Sequence, residues 1–144
     1  MANPNHYNAE MINDLSSRLL STDAHIQELA YTEFEDKILY WKRGPGAFQE
    51  PIEVLKVFED DSLLILIPTL FEVFNTDSLI LKRKLAHKLS LIADYIIYAR
   101  FEPSHELFDK TWQVRQQIWL HFPVIKQGLN SDDKILQRYF VRLT

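Results

Sequence analysis

Apolar residues along this chain recur three and four positions apart with almost no strict alternation, a spacing that predicts amphipathic helices and not half-buried strands. Met11, Ile12, Leu15 and Leu19 form one such stripe and predict a helix over 9–20. Ser21, Thr22 and Asp23 follow, side chains whose oxygens accept from the free N–H groups of a helix start. They open a second helix over 24–41, whose inward stripe is expected to be Ile26, Leu29, Ala30, Phe34, Ile38 and Trp41. Gly44, Pro45 and Gly46 cannot continue a helix, so 42–50 reads as a loop, and Pro51 suits the first turn of the next helix. Further helices are expected over 51–60, 62–74 and 77–101, separated by Asp60-Asp61 and by Asn75-Thr76-Asp77. Ser104 then caps a helix over 105–129, kinked near Pro123 because proline lacks a backbone donor, and Asn130-Ser131-Asp132 cap a last helix ending close to Thr144.

The chain also echoes itself. A shift of 55 residues lays 63–89 over 118–144 and brings six identities into register: Pro68 with Pro123, Asn75 with Asn130, Asp77 with Asp132, Ile80 with Ile135, Leu81 with Leu136 and Arg83 with Arg138. A helix carrying a proline, a short polar turn with Asp, then a helix with Arg six positions after that Asp resembles a HEAT repeat. The match is best over 63–93. A degenerate earlier unit, Leu20-Ser21-Thr22-Asp23 with Leu29-Ala30, fits only with a two-residue slip and has Glu28 or Leu29 where the arginine belongs. The resemblance implies an all-α fold of stacked antiparallel helix pairs, about six or seven helices in a superhelix. It also implies that Asp77 and Arg83 tie turn to helix, while Leu70, Phe74, Leu81, Leu85, Leu89 and Ile92 form the core between layers. The period of 55 exceeds the family's usual ~40–47 residues, so extended helices or an added turn must absorb the difference.

Composition narrows the function classes. At 144 residues, 47% apolar and 12% aromatic with three glycines, the chain is expected to form a single domain, 1–144, with a substantial core. The absence of cysteine removes disulfides, thiolate metal sites and cysteine nucleophiles, and fits a reducing cytoplasm. The opening residues show neither the basic nor the apolar region of a secretory signal. The longest apolar run, 63–74, contains Pro68 and Glu72 and falls short of the ~20 residues that span a bilayer. A net charge of -4 opposes general nucleic-acid binding, which needs cations to displace phosphate counterions.

No motif for chemistry is visible. His6, His25, His87, His105 and His121 are dispersed, with no pair at the spacing of a helical zinc site, and no phosphate-cradling glycine loop or nucleophile elbow occurs. The expectation is therefore a non-catalytic protein without metal or cofactor.

Two surfaces stand out as candidate docking sites. Lys84, His87, Lys88, Leu91, Tyr95 and Tyr98 recur at helical spacing opposite the expected core stripe and predict a basic, aromatic outer face. Glu28, Glu33, Glu35 and Asp36, with Glu50, Glu53, Glu59, Asp60 and Asp61 beyond the loop, predict an acidic face suited to steering a basic partner. Short HEAT-like domains are similar to some bacterial toxin-immunity proteins, so the resemblance implies a cytoplasmic immunity or antitoxin-like protein that neutralises a basic toxin by binding it. Two alternatives stand beside this. One is a nucleic-acid-binding repeat using Lys82, Arg83, Lys84, Lys88 and Arg100. The other is a scaffold subunit anchored through Trp41, Trp112 or Trp119, of which Trp41 and Trp112 are expected in the core.

Overall fold

A computed structural model describes residues 7–39, 61–99, 104 and 108–144, with the backbone alone described for 94–99. Among these residues the secondary structure is entirely helical: α1 (Ala9–Leu19), α2 (Ala24–Glu33), α3 (Ser62–Glu72), α4 (Leu79–Ala99), α5 (Phe108–Leu120), α6 (Phe122–Leu129) and α7 (Lys134–Arg142). This is the all-α class, and the seven helices among the described residues agree with the six or seven expected. The expected helix over 51–60, the loop before it and Trp41 lie outside the described residues. The chain divides into two compact units, Met1–Thr69 and Leu70–Thr144, with the boundary inside α3.

In the first unit α1 packs on α2. Asn8 starts α1 by accepting from the Met11 N–H at 2.8 Å, and Ile12, Leu15 and Leu19 point inward. Arg18 near the end of α1 reaches Asp14 at 2.9 Å and Glu33 of α2 at 2.8 Å, strapping the pair. The inward row that α2 begins keeps Ala30, Phe34 and Ile38 as expected and departs from the expected row at Ile26 and Leu29. Gln27, Ala30, Tyr31 and Phe34 are buried, whereas Ile26 and Leu29 are 42% and 56% exposed. Burial of the Tyr31 and Phe34 rings favours this row, and Gln27 is satisfied within it, its Nε2 donating to the Leu19 carbonyl at 2.9 Å. A π turn, Phe34–Ile38, follows, closed by Leu39 N–H donating to Phe34 O at 3.0 Å, and it brings Ile38 and Leu39 into the core as well.

In the second unit α4 packs against α7 and α5, and α6 packs against α7. Leu70, Leu81, Leu85, Leu89 and Ile92 are buried as expected, while Phe74 is half-buried and meets the Phe140 ring edge-on at 5.0 Å. The helix expected over 105–129 is two helices. α5 stops at Leu120, and α6 begins around Pro123, whose missing N–H costs nothing at a helix start.

The turns repeat in atomic detail. Ser21 Oγ accepts from Asp23 N–H at 3.1 Å, and Asp23 Oδ1 accepts from His25 and Ile26 N–H at 2.9 and 3.2 Å. Before α7, Ser131 Oγ accepts from Asp133 N–H at 3.1 Å, and Asp133 Oδ1 accepts from Ile135 and Leu136 N–H at 2.9 and 3.1 Å. The bond from Gln27 to Leu19 recurs as Gln137 Nε2 to the Leu129 carbonyl, again 2.9 Å. Ser78, midway between, accepts from Leu81 N–H at 3.2 Å at the start of α4. The three caps Asp23, Ser78 and Asp133 are therefore evenly spaced by 55 residues, and the two-residue slip is unnecessary. The caps are not Asp77 and Asp132, as the turn composition suggested, but the residues after them. Arg83 likewise pairs with Asp133, its Nε at 3.0 Å and Nη2 at 2.6 Å from Oδ2, and not with Asp77.

Candidate functional site

The basic, aromatic stripe expected on α4 is not one outward face. Lys84 is exposed. Lys88, three residues after Leu85 and four before Ile92, shares the core row and is only 6% exposed. His87 is half-buried, its ring stacked on that of Tyr139 from α7 at 4.8 Å. The side chains of Tyr95 and Tyr98 lie outside those described.

The acidic set in the first unit is also divided. Glu28 and Asp36 are exposed, but Glu33 is half-buried on Arg18. That hydrogen bond, opposed by burial and helped by Asp14, holds the Arg18 guanidinium above its ordinary pKa. Glu35 is half-buried near Tyr31, whose hydroxyl is buried without a partner in hydrogen-bonding geometry. Burial first, and then the Glu35 charge, push the Tyr31 hydroxyl far above the usual tyrosine range. Glu50 and Glu53 lie outside the described residues.

A third surface, on α5, is more sharply defined. Thr111, Val114 and Ile118 face the core. The opposite row, Trp112, Arg115, Gln116, Trp119 and Leu120, follows the spacing i, i+3, i+4, i+7, i+8 and lines a concavity of about 560 Å³ with Gln117. Trp112 is 48% exposed, Trp119 42% and Leu120 70%, so Trp112 is not the core residue expected of it, while Trp119 is available as an anchor. The Arg115 guanidinium lies over the Trp112 ring at 5.4 Å from its centroid. A second, much smaller cavity shares Arg115, Ile118 and Trp119 as walls and is closed by Ala93, Arg142, Leu143 and Thr144.

The turn after α5 sets the edge of this face. His121 stacks on Phe71 at 4.6 Å, and its Nδ1 donates to the Gln117 carbonyl at 2.9 Å, an acceptor that requires the proton on that nitrogen. Its own carbonyl accepts from Val124 N–H at 3.0 Å and starts α6. Phe122 is thereby held out from the helix end, 41% exposed and stacked on Trp119 at 6.0 Å.

Charge divides with the units. Residues 1–69 carry twelve carboxylates against five Lys and Arg, a formal -7; residues 70–144 carry eight against eleven, a formal +3. From Lys110 to Ser131 there is no Asp or Glu at all. The sequence held a signal for this face. Trp112, Trp119 and Leu120 sit one or two turns apart on the side of α5 away from Val114 and Ile118, forming a second apolar stripe on a helix that already has one.

Among the described residues no group of three or more His, Asp or Glu is placed to hold a metal ion. None of their helices is long and apolar enough to cross a membrane. No family model, curated protein or solved structure matches the chain.

Proposed function

We propose that this chain is a non-catalytic protein-binding module of HEAT-like helical-repeat type, and that its docking face is α5 with the turn after it. The observation that carries this is the row Trp112, Trp119, Leu120 and Phe122, four large apolar side chains each at least 41% exposed on one helix and its adjoining turn. Leaving so much aromatic surface in water is unfavourable by roughly 25 cal/mol for each Å² that a partner would cover. Tryptophan beside arginine is the composition most enriched where protein interfaces concentrate their binding energy. The caps at Asp23, Ser78 and Asp133, spaced by 55 residues, and the glutamine bond that recurs at twice that spacing, support the repeat reading. Its particular form is a cytoplasmic immunity or antitoxin-like protein that neutralises a toxin by covering it, with the contact moved from the acidic residues to α5.

The test is a calorimetric titration of the full chain with the product of the gene adjoining its own, repeated with Trp112→Ala and Trp119→Ala. A dissociation constant below micromolar, weakened at least ~30-fold in either variant, is expected of an interface anchored on these rings. Binding no tighter than micromolar overturns the immunity form. Tight binding that ignores both tryptophans overturns the assignment of the face.

The nucleic-acid alternative retains less. Of its five cations, Arg83 is engaged by Asp133, Lys88 is buried and Arg100 lies outside the described residues, leaving Lys82 and Lys84. A salt-sensitive gel shift with DNA or RNA would restore it.

A further inference from the structure

We infer that the α5 face takes a carboxylate-bearing segment of a partner protein, an apolar side chain lodging between Trp112 and Trp119 and a carboxylate meeting Arg115. This deepens the protein-binding reading and rests on it. Arg18 is held by Asp14 and Glu33, and Arg83 by Asp133. Arg115, Arg138 and Arg142 have no carboxylate partner among the described residues, and of these three Arg115 and Arg142 line the adjoining cavities on α5.

Arg115 is also held in place without being neutralised. The Trp112 ring supports its guanidinium by cation–π attraction, which fixes the side chain and leaves its N–H fork open to a carboxylate. An arginine already ordered this way loses less side-chain freedom on binding than one swinging in water. The chain is acid-free from 110 to 131, so an incoming Asp or Glu meets no like charge from this stretch, whereas an incoming Lys or Arg meets Arg115. Gln116 and Gln117 add amide groups along the same groove, suited to the polar backbone of an extended or helical segment. Positive charge alone would equally suit a nucleic acid. The balance tips to protein because the groove's walls are apolar side chains at helical spacing, Trp112, Trp119 and Leu120, the pattern that receives side-chain anchors.

The experiment is fluorescence anisotropy on the full chain with three labelled probes. One is a peptide of about twelve residues composed of Asp, Glu, Leu and Phe. The second has the same apolar residues with Lys and Arg replacing the acids, and the third is an oligothymidylate of similar length. The acidic peptide is expected to bind at least ~10-fold tighter than the basic one, to weaken with salt, and to lose at least ~10-fold with Arg115→Glu or Trp119→Ala. Both substituted side chains are exposed, and unchanged circular dichroism establishes that the variants fold. Preference for the basic peptide with loss on Trp119→Ala overturns this inference and leaves the protein-binding face standing. Preference for oligothymidylate overturns both. Binding of the acidic peptide that survives Arg115→Glu, or no binding of any probe, overturns the inference alone, since the titration with the adjoining gene product decides the broader reading separately.

Discussion

Gly128 lies in α6 and stands against the Phe140 ring of α7, with no room for a side chain between them. A Cβ built there would fall inside the van der Waals envelope of Phe140 Cγ and Cδ2. Those are the root of the ring, not a flexible end, and Phe140 is 2% exposed with its ring edge-on to Phe74 at 5.0 Å, so moving it aside disturbs a packed contact. Gly128→Ala therefore sets two effects against each other. Alanine is favoured over glycine inside a helix by about 1 kcal/mol. Overpacking of a filled core costs about 1–3 kcal/mol, and expelling the ring completely would approach the ~3–5 kcal/mol of a Phe→Ala change. The packing term is larger, and a net destabilisation of about 1–3 kcal/mol is expected, or a fall in Tm of about 3–10 °C for a chain of this size. Urea and thermal unfolding followed by circular dichroism measure it. A second measurement isolates the cause: in a Phe140→Ala background the obstruction is gone, and Gly128→Ala should then stabilise by about 0.5–1 kcal/mol. Equal or higher stability of the single variant, or the same sign in both backgrounds, refutes the close approach.

Three other outcomes follow from the hydrogen bonds and titrations. Gln27→Ala should cost about 1–3 kcal/mol in urea unfolding, because it strands the Leu19 carbonyl beneath the turn, and the half-buried equivalent Gln137→Ala should cost less. Tyr31 has a folded-state pKa raised well above the ordinary 10.0, so the native state keeps a proton that the unfolded chain releases, and stability should fall as pH climbs past about 10. In Tyr31→Phe, urea midpoints measured from pH 8 to 11 should decline less. Asp133 shifts the other way: hydrogen bonds from Arg83, then from the Leu136 N–H, hold its carboxyl below the usual 3.8, so its contribution is present above that value and lost as pH falls through it. Acid titration of Asp133→Asn should show a shallower decline beneath pH 4 than the parent, starting from lower stability at neutral pH.

Much of the helical pattern could be read from the chain because a helix needs only neighbours three and four positions away. Ile12, Leu15 and Leu19 are buried for that reason, and so are Leu81, Leu85, Leu89 and Ile92. The 55-residue echo was legible too, since turn chemistry is local. What local pattern left open was which of two adjacent polar residues caps a helix. Asp77 and Ser78 are both good caps, as are Asp132 and Asp133, and the second of each pair takes the position.

The sequence by itself determined that this protein is helical, roughly where most of its described helices begin, and that its turns recur at a fixed spacing, all consequences of interactions between residues close in the chain. Tertiary structure alone decided which row of α2 faces inward, on which side of α5 the tryptophans lie and which ions are neutralised. In α2, Gln27, Ala30, Tyr31 and Phe34 took the buried row and left Ile26 and Leu29 exposed, Arg83 found its carboxylate 50 residues away on Asp133, and Lys88 went into the core row that the outer stripe claimed. The candidate face changed for the same reason. Exposure of Trp112 and Trp119 is settled by what packs against the other side of α5, where Thr111, Val114 and Ile118 take the buried positions and leave the indoles and Arg115 in water.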